Sequence, residues 1–142
     1  MDITELEWAY LAGVIDGEGC IRIQREKRKR ASSNMSLIVT NGDVSLVRWL
    51  RDKFEGKAHL KSSSRPCWNV WWTAAKACYI LENVYPFLIV KQKQARCALD
   101  FQSLLRDTHR RGRQPVLTEA NLAQRDALIE AISILKHSTE KV

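Results

Sequence analysis

The sequence places two carboxylates between glycines at residues 16 to 19, which are Asp-Gly-Glu-Gly. They follow the apolar run Leu-Ala-Gly-Val-Ile, so Asp16 and Glu18 stand at the end of a predicted helix. Carboxylate oxygens are ligands that hard divalent cations prefer. The stretch lacks the Lys-Ser/Thr pair of a phosphate-binding loop and the further ligands of an EF-hand. The pattern therefore favours a cation-binding helix end over either of those loops.

The helix that must position these carboxylates is predicted over about residues 5 to 16. Thr4 and Glu7 form a capping-box pattern at its start, and Gly17 with Gly19 is expected to end it. Apolar residues recur at helical spacing between these limits: Trp8, Leu11, Ala12 and Ile15. The stretch LAGVIDGEG at residues 11 to 19 has no second copy in the chain.

Two strand pairs and further helices follow along the chain. Alternating apolar and polar residues predict strands within residues 20–30, 35–40, 57–64 and 67–73. A second helix is predicted from Asp43, its N-cap, to Gly56, and a third is stopped by Pro86. Two more helices are expected over residues 90–111 and 118–136, the last capped by Thr118.

This order of elements predicts the fold class. We expect an α+β fold with an αββαββα core, an antiparallel sheet and additional C-terminal helices. A chain of 142 residues is near the common size of one domain. We therefore predict a single domain over residues 1 to 142, with the core over about 5–105 and a helical extension over about 106–142.

The composition favours a polyanionic partner. Lys and Arg total 23 against 16 Asp and Glu, a net charge of +7, and the pI is about 9.5. The four cysteines form no CxxC pair, which argues against a zinc site. The N-terminus lacks a signal-peptide pattern, and no apolar stretch is long enough to span a membrane. We expect an intracellular protein, in a bacterial or phage-infected cytoplasm or an organelle, with no membrane partner.

The stretch LAGVIDGEG resembles the defining motif of the LAGLIDADG homing endonucleases. Val14, Gly17 and Glu18 are mild departures, and the matching positions are Leu11, Ala12, Gly13, Ile15, Asp16 and Gly19. The stretches VTN at 39–41 and PFLIVKQKQA at 86–95 resemble later landmarks of single-motif members. The resemblance covers roughly residues 5 to 105. It implies an intron-encoded endonuclease that cuts both strands of a long, near-palindromic double-stranded DNA site across the central minor groove.

The resemblance also implies roles for particular residues. Glu18 would bind the metal directly and the backbone carbonyl of Gly17 would be a second ligand, with Mg²⁺ or Mn²⁺ supporting cleavage and Ca²⁺ supporting binding alone. Asn41 would position water near the nucleophile, and Lys91 would stabilise developing negative charge. Asp16 is expected to hold the turn rather than to bind metal. Glu18 is one methylene longer than the Asp common in the family, so the metal geometry could differ.

A single motif implies a homodimer. Hydrolysis of phosphodiesters commonly uses metals about 3.5 to 4 Å apart, so one acidic helix end is half of such a centre. Small residues allow two helices to approach to near the low end of the roughly 8 to 10 Å range. The predicted interface residues are Ala9, Ala12, Gly13 and Asp16.

The two predicted hairpins supply a surface that could lie in a major groove, which admits a two-stranded ribbon. Strand alternation assigns one face to DNA. In the first hairpin this face holds Arg22, Gln24, Glu26, Arg28, Arg30, Ser32, Asn34 and Ser36. In the second it holds Lys57, His59, Lys61, Ser63, Asn69, Trp71 and Thr73. Trp68 and Trp72 are expected in the core instead.

Two other function classes fit the same sequence. One is a nucleic-acid binder that does not cleave, such as an intron maturase or a transcription regulator. The other is an interaction module whose basic charge is incidental. A salt titration separates the second from any DNA-binding protein, because phosphate-driven binding weakens steeply with salt.

Overall fold

The computed structural model describes residues 2–25, 33–62, 64–109 and 119–137. It confirms the predicted α+β class and element order. The strands are β1 (Gly19–Arg25), β2 (Ser33–Asn41), β3 (Lys57–Ser62) and β4 (Cys67–Thr73). The helices are α1 (Glu5–Glu18), α2 (Val44–Phe54), α3 (Ala74–Val84), α4 (Gln92–His109) and α5 (Glu119–His137), with a 3-10 turn at Tyr85–Phe87. None of the described helices is both long and apolar enough to cross a membrane.

The four strands form one antiparallel sheet in the order β1-β2-β4-β3. Gly19 pairs with Val39, Val39 with Val70, and Val70 with Ala58. Side chains alternate between the two faces of a strand. The inner face carries the fully or almost fully buried Ile21, Met35, Leu37, Val39, Val70 and Trp72. Helices α1, α2, α3 and α4 pack against this sheet, so its other face is the candidate for binding.

Helix α1 begins with the predicted capping box and ends later than predicted. The Thr4 hydroxyl accepts from the Glu7 backbone N–H, and the Glu7 carboxylate accepts from the Thr4 backbone N–H. That bond, with Lys53 beside it, lowers the pKa of Glu7. The prediction that Gly17 ends the helix was wrong. The helical hydrogen-bond pattern continues to the N–H of Gly19, which donates to the Ile15 carbonyl, so Glu18 is the last helical residue.

Helix α2 is capped at its start as predicted, by Asp43, whose Oδ1 accepts from the backbone N–H groups of Ser45 and Leu46 at 2.8 and 3.2 Å. It ends at Phe54, before the predicted stop at Gly56, because Glu55 adopts the left-handed conformation with φ 54°. Trp72 Nε1 donates to the Phe54 carbonyl at 2.8 Å, so the buried indole joins this helix end to β4.

The two C-terminal helices pack together and onto the core. Helix α4 contacts α3, β1, β2 and α5, and Ile132 of α5 is buried in the main hydrophobic cluster. Helix α4 begins at Gln92 rather than at the predicted residue 90. The predicted cap Thr118 lies outside the described residues.

We predict that Gly56→Ala destabilises the fold by about 1 to 3 kcal/mol, the usual cost of forcing extra carbon into a packed core. A Cβ at Gly56 would collide with Val70 Cγ1 and lie 3.0 Å from the Trp72 ring. Urea unfolding followed by fluorescence measures the change. In a Val70→Ala background the same substitution should cost less, because the colliding methyl group is gone. An equal cost in both backgrounds would contradict this explanation.

Candidate functional site

The C-terminal turn of α1 is fastened to the segment that precedes α4. The Asp16 carboxylate accepts two backbone hydrogen bonds, from the N–H of Ile89 at 2.8 Å and the N–H of Lys91 at 2.9 Å. Hydrogen bonds to an ionised acceptor are roughly twice as strong as neutral ones. Both oxygens of Asp16 are therefore occupied within its own chain, which gives this residue a structural task.

The Lys91 side chain also bonds to the C-terminal turn of α1, in this case to backbone carbonyls. Its ammonium Nζ donates to the carbonyl oxygens of Ile15 at 3.0 Å and Asp16 at 2.6 Å. These carbonyls belong to the last turn of a helix, where a cation is favourable, and the Ile15 carbonyl accepts from the Gly19 N–H as well. The structure thus brings Lys91 to the helix end that carries Glu18.

Glu18 and Gly17 offer oxygen ligands at this end of the helix. Both residues are exposed, and a Cβ at Gly17 would meet no atom within 4 Å. In the part of the chain that the structure describes, no group of three or more His, Cys, Asp or Glu side chains could hold a metal. What this chain supplies here is the carboxylate of Glu18 and the nearby backbone carbonyls.

Asn41 is the last residue of β2 and pairs with Trp68 of β4. It lines a groove between α1 and α2 together with Leu6 and Tyr10. Its side-chain oxygen accepts from the backbone N–H of Asp43 at 2.7 Å, a local turn that leads into α2. The amide nitrogen of Asn41 is the side-chain group that can donate a hydrogen bond to water.

The outer face of the sheet, the face opposite the helices, carries polar side chains in rows across the strands. Directly paired residues share a face. One row is Arg22, Ser36 and Thr73, a second is Cys20, Ile38, Trp71 and Lys57, and a third is Thr40, Asn69 and His59. Asn34 lies beyond the first row, opposite Gln24. The outer face therefore holds the members of the predicted DNA-binding set whose side chains the structure describes, except Lys61.

The third row is internally connected. The Thr40 hydroxyl donates to Asn69 Oδ1 at 2.7 Å, and the His59 ring meets Trp71 edge-on, with ring centroids 5.0 Å apart. Neither Thr40 nor its contact was predicted. The alternation of β2 could have placed Thr40 on this face, but only the β2–β4 register reveals its partner.

Two members of the predicted DNA-binding set have local surroundings that the alternation did not predict. Ser36 lies on the outer face, yet it is only 6% exposed between its larger neighbours. Lys61 lies at an irregularity in the β3–β4 register, where Leu60 pairs with Trp68 and Ser62 pairs with Cys67. The extra residue interrupts the alternation on which its assignment depended. Glu26, Arg28, Arg30, Ser32 and Ser63 lie outside the described residues.

Helix α1 also exposes apolar side chains on the side away from the core. We define the α1 face as Leu6, Tyr10, Gly13 and Gly17, which follow each other at helical spacing. Leu6 is 82% and Tyr10 60% exposed, and a Cβ at Gly13 would meet no atom within 4 Å. A groove of about 730 Å³ between α1 and α2 borders this face and includes Trp49.

The predicted dimer interface requires one correction at this helix. Ala12 has no exposed surface, because it points into its own core and cannot contact a partner. Ala9 and Asp16 are partly exposed. Sequence reasoning missed Ile89 and Val90, which are 89% and 69% exposed beside the Asp16 end of the helix.

One further cation lies near the motif. Lys136 lies in the last turn of α5, and its Nζ is 3.7 Å from the Sγ of Cys20. Cys20 follows Glu18 by two residues. Cys20 lies on the outer face, opposite Ile38. The C-terminal helices therefore contribute a positive charge beside the candidate site.

The comparisons with known proteins agree with this fold. A sequence model described as LAGLIDADG endonuclease matches residues 11–105, so the chain belongs to the LAGLIDADG endonuclease family. Its structure is similar to that of the homing endonuclease I-CvuI, solved in complex with its target in the presence of 2 mM Ca. The TM-score is 0.74 at 18% identity, and the match covers 97% of this chain and 87% of that one.

Other solved structures show the same fold. The archaeal intron-encoded homing endonuclease I-Vdi141I, complexed with DNA, matches with a TM-score of 0.73 at 15% identity over 97% of this chain and 87% of its own. The LAGLIDADG meganuclease I-AabMI, bound to uncleaved DNA, matches with a TM-score of 0.67 at 20% identity. That match covers 89% of this chain but only 44% of I-AabMI. No curated protein matches this sequence.

We predict that Asp16→Ala lowers the free energy of unfolding by about 1 to 3 kcal/mol, because it leaves the Ile89 and Lys91 N–H groups without their acceptor. Asp16→Asn should cost less, since it keeps one carbonyl oxygen for one of the two donors. Urea unfolding of both variants measures the order. A neutral Asp16→Ala would show that the connection contributes nothing to stability.

Proposed function

We propose that this protein is a homing endonuclease that binds a long, near-palindromic double-stranded DNA site as a homodimer and hydrolyses one phosphodiester bond in each strand. The observation that supports the proposal most strongly is the junction at the end of α1. There the exposed Glu18 and the Lys91 ammonium come together at the end of α1, where β1 of the polar sheet begins. I-CvuI and I-Vdi141I, which share this fold, were both solved with DNA.

The outer face would lie against DNA. Arg22, Lys57 and His59 are exposed there, and Asn69 is partly exposed. Side chains of these types contact phosphates and base edges in a major groove that admits a two-stranded ribbon. The net charge of +7 would favour the approach of the chain to DNA. An intracellular location is part of this proposal, because the substrate is cellular DNA.

The donor set at the motif fits a hard divalent cation. The Glu18 carboxylate and the Gly17 carbonyl are oxygen ligands, both residues are exposed, and Mg²⁺ or Mn²⁺ would accept such ligands together with water and phosphate oxygens. I-CvuI structures were solved in the presence of 2 mM Ca and of 2 mM Mg. A bound cation would acidify water and neutralise phosphate charge.

The chain's own residues would supply the remaining functions. Asn41 would donate a hydrogen bond from its amide nitrogen and orient the attacking water. Lys91 already has its ammonium at the helix end, where it would stabilise charge that develops on the phosphate. Asp16 would keep Lys91 at the end of α1 through its bonds to the backbone of residues 89 and 91.

A second copy would complete the centre. One chain brings one such carboxylate, whereas phosphodiester hydrolysis commonly uses metals about 3.5 to 4 Å apart. The α1 face is apolar and open, and glycines at its middle and end allow close helix approach. This chain also covers only 44% of I-AabMI, which is bound to DNA, so two copies would equal its approximate size.

We expect Glu18→Gln to retain DNA binding and to lose Mg²⁺-dependent cleavage by more than the roughly 10- to 100-fold that outer-shell partners of a metal contribute. The amide keeps the shape of the side chain but removes its charge. Cleavage of a selected site in Mg²⁺ and gel retardation in Ca²⁺ measure the two properties separately.

The matched control is Glu5→Gln, the same change at the opposite, exposed end of α1, which should cut normally. Undiminished cutting by Glu18→Gln would refute the ligand assignment. Wild-type protein that binds its site tightly but never cuts in Mg²⁺ or Mn²⁺ would favour the non-cleaving binder instead.

For the dimer, Gly13→Leu should raise the dissociation constant about tenfold or more. Overfilling a close helix contact costs about 1 to 3 kcal/mol, and 1.4 kcal/mol is a factor of ten. Sedimentation at graded concentrations measures it. Glu130→Leu adds the same side chain at an exposed position of α5 and should leave the dimer unchanged. An equally tight Gly13→Leu dimer would place the interface elsewhere.

A further inference from the structure

Asn69 on the outer face has one end of its carboxamide already engaged. Thr40 and Asn69 are directly paired across β2 and β4, and the Thr40 hydroxyl donates to Asn69 Oδ1 at 2.7 Å. Both residues are partly buried, so water competes less well for this bond than at an exposed site. The bond therefore restrains which end of the amide is available to a ligand.

The neighbours of Asn69 restrict it further. His59 pairs with Asn69 from β3 on the other side, and its ring is held edge-on against Trp71. Asn69 thus sits between Thr40 and a ring that is itself packed. Thr40 follows Val39, which pairs with Gly19 at the start of β1.

The chemistry of base recognition gives this arrangement a consequence. An asparagine that reads adenine in the major groove uses both ends, since its oxygen accepts from N6 and its amide donates to N7. The Thr40 hydroxyl takes one of the two lone pairs of Oδ1 and holds this oxygen toward β2. The orientation of the carboxamide thus favours its NH₂ group as the end that meets a base. Guanine presents two acceptors, N7 and O6, on the same edge.

We infer that Thr40 is a positioning residue that holds Asn69 as a hydrogen-bond donor and so makes the protein prefer guanine over adenine at the base pair that Asn69 contacts. The inference rests on the proposed function, because it requires that the outer face binds duplex DNA. Beyond that function, it names guanine as the base at one position of the site and Asn69, held by Thr40, as the residue that selects it.

The test is selection of bound sites from a random duplex DNA pool in Ca²⁺, with wild-type protein, Asn69→Ala, Thr40→Val and Thr40→Ser. Asn69→Ala should flatten the preference at one symmetric pair of positions and thereby identify them. The wild type should prefer guanine there. Thr40→Val frees Oδ1 and should lower the ratio of guanine to adenine about tenfold, the scale of one bidentate contact.

Thr40→Ser is the conservative variant, because it keeps the hydroxyl and loses only a methyl group. Thr40→Ser should retain the guanine preference, because that preference depends on the hydroxyl. A purely structural role of Thr40 would not require the preference to survive in this variant. A wild-type preference for adenine or cytosine at the Asn69 position, or an unchanged preference in Thr40→Val, would overturn the inference while leaving DNA binding intact. A wild-type protein that selects no DNA would overturn the proposed function as well.

Discussion

Four hydrogen bonds fasten the C-terminal turn of α1 to residues 89–91, and the candidate site depends on them. Two run from backbone N–H groups to the Asp16 carboxylate, and two run from the Lys91 ammonium to helix carbonyls. The partners are more than 70 residues apart in the chain, so the bonds define tertiary structure rather than a local turn. They fix the point where α1 ends and β1 begins, and with it the place of Glu18. Asn41 ends β2, the strand that pairs with β1.

The same helix explains why one chain looks incomplete. Trp8, Leu11, Ala12 and Ile15 of α1 are buried in the core, while Leu6 and Tyr10 expose apolar surface on the opposite side. A helix that is apolar on both sides is normally covered on both. In the proposed dimer a second α1 covers the outer side, and the two Glu18 carboxylates converge. Dimer formation would then bury the apolar surface of α1 and assemble the pair of Glu18 carboxylates at the same time.

The sequence predicted the elements better than the contacts between them. Period-two alternation at Ile21 and Ile23 and the caps at Thr4 and Asp43 are local signals, and each is confirmed. The continuation of α1 through Gly17 was missed because tertiary hydrogen bonds from Lys91 and to Asp16 hold that turn. Ala12 was assigned to a partner because small residues fit either a core or an interface, and only the packing distinguishes these. The irregularity at Lys61 and the Thr40–Asn69 bond depend on strand register, which one sequence does not specify.

The most direct test of the proposed centre is a crystal structure of the protein with its selected DNA site and Mn²⁺, in which anomalous scattering locates the metal. We expect two chains related by a twofold axis through α1. We also expect metal peaks within coordination distance of Glu18 from both chains and of the phosphates to be cut. Metal bound away from residue 18, or a single chain on the DNA, would refute the proposed centre.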